Sequence, residues 1–384
     1  MKKKNDSLVY ISVILITLLL LSMLSIYASA TYKSKKSQSF TTKISAEASA
    51  LYEPTNNIFI YEKNGDQRMP MASTTKIMTA IVVAKNCDMD EVVIIGPESI
   101  GIEGSSAYLR EGDHYTVREL LYALLLQSAN DAATALAYYT AGGILEFSAL
   151  MNEEAVSLGL QNTHFTNPHG LDDDEHYTTA KDLAIIGARL MESDILRGIA
   201  STYKKTFTYG ERTRTYINHN KLLRLYDGGV GIKTGFTKRS GRCLVGAAER
   251  YGLTFISVTL DAPSDWSDHT ALLDFAFEKF EKIDLCLEGD LTREIVVING
   301  SSPYLTVSAR ENLQVIKEKC ESDIAEYISL PSYVIAPIKK GEAIGKAVYK
   351  VGEKTYKVDL IATEDVRIAK KDGILKKILN KISK

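Results

Sequence analysis

Apolar and polar residues are distributed along this chain in several textures, and each predicts a different element. The first is a run from Leu8 to Tyr27 that is almost wholly apolar. It follows Lys2-Lys3-Lys4 and ends in the small residues Ala28-Ser29-Ala30, the build of a cleavable secretory signal, so residues 1–30 are expected to be a signal peptide. An uncleaved membrane anchor is the alternative, because the run approaches spanning length. Residues 31–44 read as a polar spacer rich in Lys, Ser and Thr.

Beyond the spacer come two strand-like runs, Ser45–Tyr52 and Ile58–Glu62, and the turn formers Pro54-Thr55-Asn56-Asn57 between them predict a hairpin. A helix is expected from about Ser73, with Ile77, Met78, Ile81 and Val82 on its buried side. Helical spacing recurs over Val117–Gln127, Asp131–Tyr139, Ile144–Leu158 and Thr179–Glu192. Strand texture returns at Lys204–Tyr209, Arg214–Tyr216, Val230–Phe236, Cys243–Ala248 and Thr254–Leu260, and an amphipathic segment, Trp266–Phe280, closes the unit. Strands, then helices, then strands and a helix predict one sheet covered on both faces, an α+β domain over 45–284.

After Asp284 the runs shorten. Ile295–Ile298, Ser332–Ile335 and Ala347–Val358 predict a small all-β domain, a sandwich over 285–362. Residues 363–384 change character again. From Arg367 onward there are seven Lys or Arg against one acid, Asp372, while Ile374, Leu375, Ile378, Leu379 and Ile382 share one helical face. A basic amphipathic helix of this kind suits the surface of an anionic membrane.

Composition narrows the function classes. With 45% hydrophobic residues, 24% charged residues and a net charge of −2, the chain is neither disordered nor a nucleic-acid binder. Cys87, Cys243, Cys286 and Cys320 are too scattered for a disulfide scaffold and form no C-x-x-C pair; Cys243, in an apolar stretch, is expected as a buried thiol. His164, His169 and His176 cluster without a His-Glu-x-x-His frame, so they are expected to make local hydrogen bonds rather than bind zinc, and no metal or cofactor is expected. Asp172, Asp173 and Asp174 read as a solvated turn, since adjacent like charges repel when buried.

Three motifs carry candidate chemistry. Ser73-Thr74-Thr75-Lys76 places a hydroxyl and an amine one turn apart at a helix start, where a desolvated lysine can take the serine's proton. Ser128-Ala129-Asn130, between two helices, offers a hydroxyl that can relay a proton and an amide that both donates and accepts. Lys233-Thr234-Gly235, followed by Phe236-Thr237 on a strand, offers a cation and hydroxyls for a carboxylate, with Gly235 admitting a close ligand backbone. Each alone decides little. In this order, Ser-x-x-Lys, Ser-x-Asn and Lys-Thr-Gly form the signature of penicillin-binding proteins and, with Asp at the centre of the second, of class A β-lactamases.

With those motifs the chain resembles the low-molecular-mass penicillin-binding proteins that are serine-type D-alanyl-D-alanine carboxypeptidases. The likeness spans most of residues 45–362 and includes Tyr61-Glu62-Lys63-Asn64, Pro70-Met71-Ala72-Ser73, Gln127–Ala132, Thr166–Gly170, His176–Ala184, Asn218–Leu223 and Gly231–Thr237. Ala129 at the centre of the second motif departs from the class A β-lactamases. The resemblance implies a serine β-lactamase/penicillin-binding-protein-like catalytic domain, an antiparallel sheet plus helical lobe, then a small all-β domain and an amphipathic anchor. It implies Ser73 as nucleophile, Lys76 as its base and Ser128 as proton relay. Asn130, Lys233, Thr234, Gly235, Phe236 and Thr237 would bind substrate, with the backbone N–H groups of Ser73 and Phe236 as oxyanion hole.

The implied partners are peptidoglycan stem peptides ending in D-Ala-D-Ala, β-lactams as covalent inhibitors, and a membrane surface for the C-terminal helix. The implied location is the outer face of the cytoplasmic membrane or the cell-wall space. Two other readings stay open at this point: a serine β-lactamase, which needs a carboxylate-activated water, and a penicillin-binding sensor or wall-tethering protein without turnover. A Gly-x-Ser-x-Gly elbow is absent, which argues against an α/β-hydrolase.

Overall fold

The computed structural model describes residues 40–209, 212–321 and 323–369. The expected signal peptide and all but the last five residues of the spacer lie outside them, as do residues 370–384 of the expected C-terminal helix. The chain starts with strands β1 (Ala48–Glu53) and β2 (Ile58–Lys63). The Glu53 carboxylate closes the turn between them by accepting from the Thr55 and Asn56 amides at 2.6 and 2.9 Å. A single 3₁₀ turn, Ala72–Thr75, leads into helix α1 (Lys76–Asn86). All of Lys76–Val83 is buried, not just one face. The reason is its position: α1 is the central rod of a helical lobe, wrapped by α2 (Val117–Leu126), α3 (Asn130–Ala141), α4 (Ile144–Ser157) and α5 (Ala180–Glu192).

Two small antiparallel pairs decorate the lobe. Val92–Ile94 (β3) pairs with His114–Thr116 (β4), after which Thr116 and Glu119 build a reciprocal capping box at the start of α2. The helix Asp194–Ala200 (α6) is followed by β5 (Lys204–Tyr209) and β6 (Arg212–Ile217). These two were expected to join the main sheet, but they pair only with each other. Phe207 lies edge-on to Tyr122 of α2 at 5.5 Å, which holds the hairpin against the helical lobe instead.

After the short helix α7 (Leu222–Leu225), strands β7 (Gly229–Thr237), β8 (Gly241–Arg250) and β9 (Leu253–Leu260) complete a five-stranded antiparallel sheet in the order β2-β1-β9-β8-β7. Helix α8 (Asp265–Lys279) covers one face, where buried His269 bonds the hydroxyls of Ser257 and Thr259 at 2.7 and 3.0 Å. Helix α5 covers the other. A Cβ at Gly187 of α5 would come within 2.9 Å of Val245 and 3.2 Å of Ile256, so the missing side chain permits this close packing. Strand β7 is left at the edge, facing the lobe.

Helix α8 runs directly into β10 (Phe280–Cys286), which pairs with β13 (Leu313–Glu318). The boundary expected at 284 therefore falls inside a strand of the β unit. The remaining strands, β11 (Arg293–Ile298), β12 (Tyr304–Ala309), β14 (Ile324–Ser329), β15 (Tyr333–Ile335), β16 (Ala343–Val351) and β17 (Lys354–Ala362), form one sheet ordered β14-β16-β17-β12-β11-β15. Residues 363–369 do not begin a helix. Val366 is buried and bridges Ile338, Arg367 accepts from the Ser301 amide at 2.7 Å, and Ala369 donates to Asn299 at 2.8 Å. The backbone groups of this segment are committed to the β unit, which keeps it extended.

Candidate active site

Ser73 sits in the 3₁₀ turn that precedes α1. The turn is held tightly: Thr74 and Thr75 donate their hydroxyl protons to the carbonyls of Met71 and Ala72 at 2.6 and 2.7 Å, and Ala72 has a left-handed φ of 47°. Gly170 packs over it so closely that a Cβ would stand 1.9 Å from the Ala72 carbonyl oxygen. One turn along, the Lys76 amine is fully buried. Its Nζ lies 2.9 Å from Ser73 Oγ, 2.7 Å from Asn130 Oδ1 and 2.5 Å from the His169 carbonyl oxygen. Burial, and next the nearby Lys233 cation, push its pKa well below the ordinary lysine value, against a smaller opposing pull from Asp131. A neutral amine has two hydrogens and a lone pair. The amide oxygen and the carbonyl take the hydrogens, so the lone pair is left facing the serine O–H.

The second motif brings its groups to the same point. Ser128 carries a left-handed φ of 61°, a conformation that costs about 1–2 kcal/mol for a residue with a side chain. The strain turns the chain between α2 and α3 so that Ser128 lines the cleft while Asn130 enters the protein. Asn130 is buried, with its backbone N–H on the Ser105 carbonyl at 2.7 Å and its Nδ2 on the Glu103 carbonyl at 2.5 Å. Its amide therefore orients Lys76, and its oxygen is not turned toward a substrate. The next residue, Asp131, accepts from Ser106 Oγ and the amides of Ala107 and Leu109 at 2.6, 2.9 and 3.1 Å, which fixes the loop beside Ser105.

The third motif lies on edge strand β7. Cross-strand partners share a face. Lys233 and Gly235 pair with Val245 and Cys243, which belong to the core under the helical lobe; Thr234 pairs with Leu244, in the core under α8. Lys233 is thus aimed at the lobe and is 1% exposed, with its Nζ 2.9 Å from the Thr234 carbonyl oxygen. Burial lowers its pKa to about 7. Gly235 permits a close approach, since a Cβ there would lie 3.0 Å from the Ser73 amide nitrogen. Phe236 is exposed at the rim. Thr237 donates its hydroxyl proton to Asp172 at 2.9 Å and accepts from the Ser240 amide at 2.9 Å. In this structure its hydroxyl proton is therefore engaged within the protein.

A cleft of about 400 Å³ joins these elements. Ser73, Ser128, Thr234, Gly235 and Phe236 line it, together with Ser105, His219, Lys221, Arg242 and Trp266; Lys76, Asn130 and Lys233 are buried beside them. A serine beside a buried amine, a second hydroxyl and a strand edge converge on one opening. The sequence pattern of the D-alanyl-D-alanine carboxypeptidase peptidases matches residues 33–264, and that of the C-terminal domain of penicillin-binding protein 5 matches 280–367. This chain belongs to the D-alanyl-D-alanine carboxypeptidase family. Its relatives include carboxypeptidase DacF of Bacillus subtilis, 30% identical over 93% of this chain and 95% of the relative. Another is DacC of Escherichia coli, 30% identical over 84% of each. Among solved structures, penicillin-binding protein 5 of Haemophilus influenzae superposes with a TM-score of 0.69 at 29% identity, covering 86% of this chain and all of that one.

Several supporting residues of this family site were not singled out by sequence reasoning. His176 is expected only to bond locally, and it does, but its bonds reach the turn that holds Ser73: Nδ1 accepts from the Thr166 amide at 3.0 Å, so Nε2 carries the proton that faces Thr75 Oγ1 at 2.8 Å. Burial, against an opposing pull from Asp173, lowers its pKa to about 4 and keeps the ring neutral. His169 contributes its backbone carbonyl to Lys76. The Asp172–Asp174 turn is not simply solvated, since Asp172 holds Thr237 and Asp174 pairs with Arg239 at 2.7 Å. The sole hint was that Thr166–Gly170 and His176–Ala184 carried family likeness with no assigned role. All four cysteines are free, with Cys243 buried. Among the described residues no cluster of His, Cys, Asp and Glu is arranged to hold a metal ion.

Proposed function

We propose that this carboxypeptidase works through an acyl-enzyme on Ser73, releasing D-alanine from peptidoglycan stem peptides, and that β-lactams acylate the same hydroxyl. The observation that carries the reading is the buried Lys76 amine, 2.9 Å from Ser73 Oγ with its other hydrogens directed elsewhere. As Oγ bonds to the penultimate D-Ala carbonyl carbon, its proton passes to Lys76 Nζ. The oxyanion faces the backbone N–H groups of Ser73 and Phe236, each such donor contributing about 2.7–4 kcal/mol to the transition state. The C–N bond then breaks. Ser128 hands a proton to the departing amine, drawing on the shared proton pool of Lys76 and Lys233. Water hydrolyses the ester and restores Ser73. Lys233 lends positive potential behind the site, and Thr234 meets the carboxyl end of the peptide.

A fast β-lactamase needs a carboxylate to activate the hydrolytic water. Among the described residues no carboxylate bonds Ser73 or Lys76, and Asp131 is committed to the 105–109 loop. Slow clearance of a penicilloyl adduct is therefore expected. We further propose export by the N-terminal segment and action at the outer membrane face, with the basic C-terminal segment resting on lipid. Among the described residues no helix is long and apolar enough to cross a membrane. The test of the reaction is D-alanine release from a D-Ala-D-Ala-ended peptide by the wild type and by Ser73→Ala. The wild type releases D-alanine and the variant none; release by the variant would remove Ser73 from the mechanism.

A further inference from the structure

The cleft has a charged wall that the three motifs do not account for. Arg242 is the cross-strand partner of Phe236, the residue after Gly235. It shares the α8-side face of the sheet with Thr234, whereas Lys233 is directed to the opposite face. Its side chain is 47% exposed and lines the cleft with Ser73. One of its nitrogens, Nη2, donates to both oxygens of Asp265 at 3.0 and 2.9 Å, and Asp265 is 5% exposed at the start of α8. Nε and Nη1 have no protein partner among the described residues, so a held guanidinium still presents donors to the opening. The other nearby ammonium, Lys221, lies over the Trp266 ring at 5.6 Å.

We propose that Arg242, aimed by Asp265 and joined by the Thr234 hydroxyl, grips the terminal carboxylate of the peptide, a task from which the buried Lys233 is turned away. The inference rests on the carboxypeptidase reading above. Position supports it. Gly235 abuts the Ser73 amide, and Arg242 stands across from the next residue, about 4.5–5.5 Å between Cα atoms. One residue of the substrate, about 3.3–3.6 Å of chain, separates the attacked carbonyl from the carboxylate. Chemistry supports it too. A planar guanidinium matches a carboxylate and stays charged at any working pH. Asp265 limits the motion of the side chain without covering its free donors, so Asp265 is a positioning residue.

The test compares two peptides identical except at the end, one finishing in D-Ala-D-Ala and one in the C-terminal carboxamide. The wild type prefers the free acid. Arg242→Ala lowers that preference by about 10–100-fold, the worth of a charged hydrogen bond, mainly by raising KM for the acid while the amide is cleaved as before. Removing Arg242 alone leaves Asp265 buried without a partner, so the double variant Arg242→Met/Asp265→Asn is measured alongside, and Arg242→Lys restores part of the preference. An unchanged acid-to-amide ratio in both Arg242-deleted proteins, or an equal loss on both peptides in the double variant, overturns the proposal while the carboxypeptidase reading stands. A wild type that cleaves neither peptide overturns both.

Discussion

Lys76 has no anion among its hydrogen-bond partners and a second buried amine nearby, and that combination sets its chemistry. The same coupling makes a prediction with a definite sign. D-Alanine release should rise with pH on the limb where Lys76, lowered by burial and by Lys233, gives up its proton, and decline on the limb where Lys233, lowered by burial to about 7, loses its charge. Lys233→Met removes a cation that holds the Lys76 pKa down. Its rising limb should therefore shift to higher pH and its falling limb disappear, as read from kcat/KM against pH. A rising limb that stays put would mean that Lys233 does not act on the base. At this scale the sequence singled out the motif residues that meet at the cleft but not their bonds. Ser-x-x-Lys spacing predicted proximity, whereas the direction of the Asn130 amide depends on the Glu103 carbonyl, 27 residues away.

Among the elements, the sheet and the long helices were legible because each buries a periodic face. The β5–β6 hairpin was placed in the wrong sheet because strand texture does not say which neighbour a strand finds. Strand β14 was not legible because none of its residues is fully buried, so its sequence carries no clean alternation. The elements around the site are tied by neutral histidines. His169 and His176 lie on the loop over the Ser73 turn, and His269 joins α8 to β9. Burial lowers their pKa values to about 3, 4 and 3. Each folded value lies below the unfolded one of about 6.5, so the unfolded chain binds more protons between the two. Stability is then complete above about pH 6.5 and lost as pH falls, by up to about 1.4 kcal/mol per pH unit for each histidine. Urea midpoints at pH 7, 6 and 5 should fall in that order; a flat series would show that the rings are protonated in the folded state.

At the scale of the whole molecule, the β unit is fastened to the catalytic unit without a linker. Lys279 pairs with Glu318 at 2.9 Å, Lys319 donates to the Phe277 carbonyl at 2.9 Å, and Ile316 joins the core under α8. The pinned segment 363–369 sharpens a prediction about the tail. Deleting 370–384 should release the exported protein from anionic vesicles and leave both activity and melting temperature unchanged. Deleting 367–384 should also lower the melting temperature, because it removes the backbone bonds from 299–301 to 367 and 369. Retention on vesicles after the shorter deletion would point to the N-terminal segment as the anchor.

The central claim is that one hydroxyl, made nucleophilic by a neutral amine, carries the acyl group. Penicillin labelling followed by intact-mass measurement and peptide mapping tests it most directly. A single adduct is expected, located on the peptide containing Ser73, cleared slowly and absent from Ser73→Ala. An adduct on any other side chain, or labelling that persists in that variant, would contradict it.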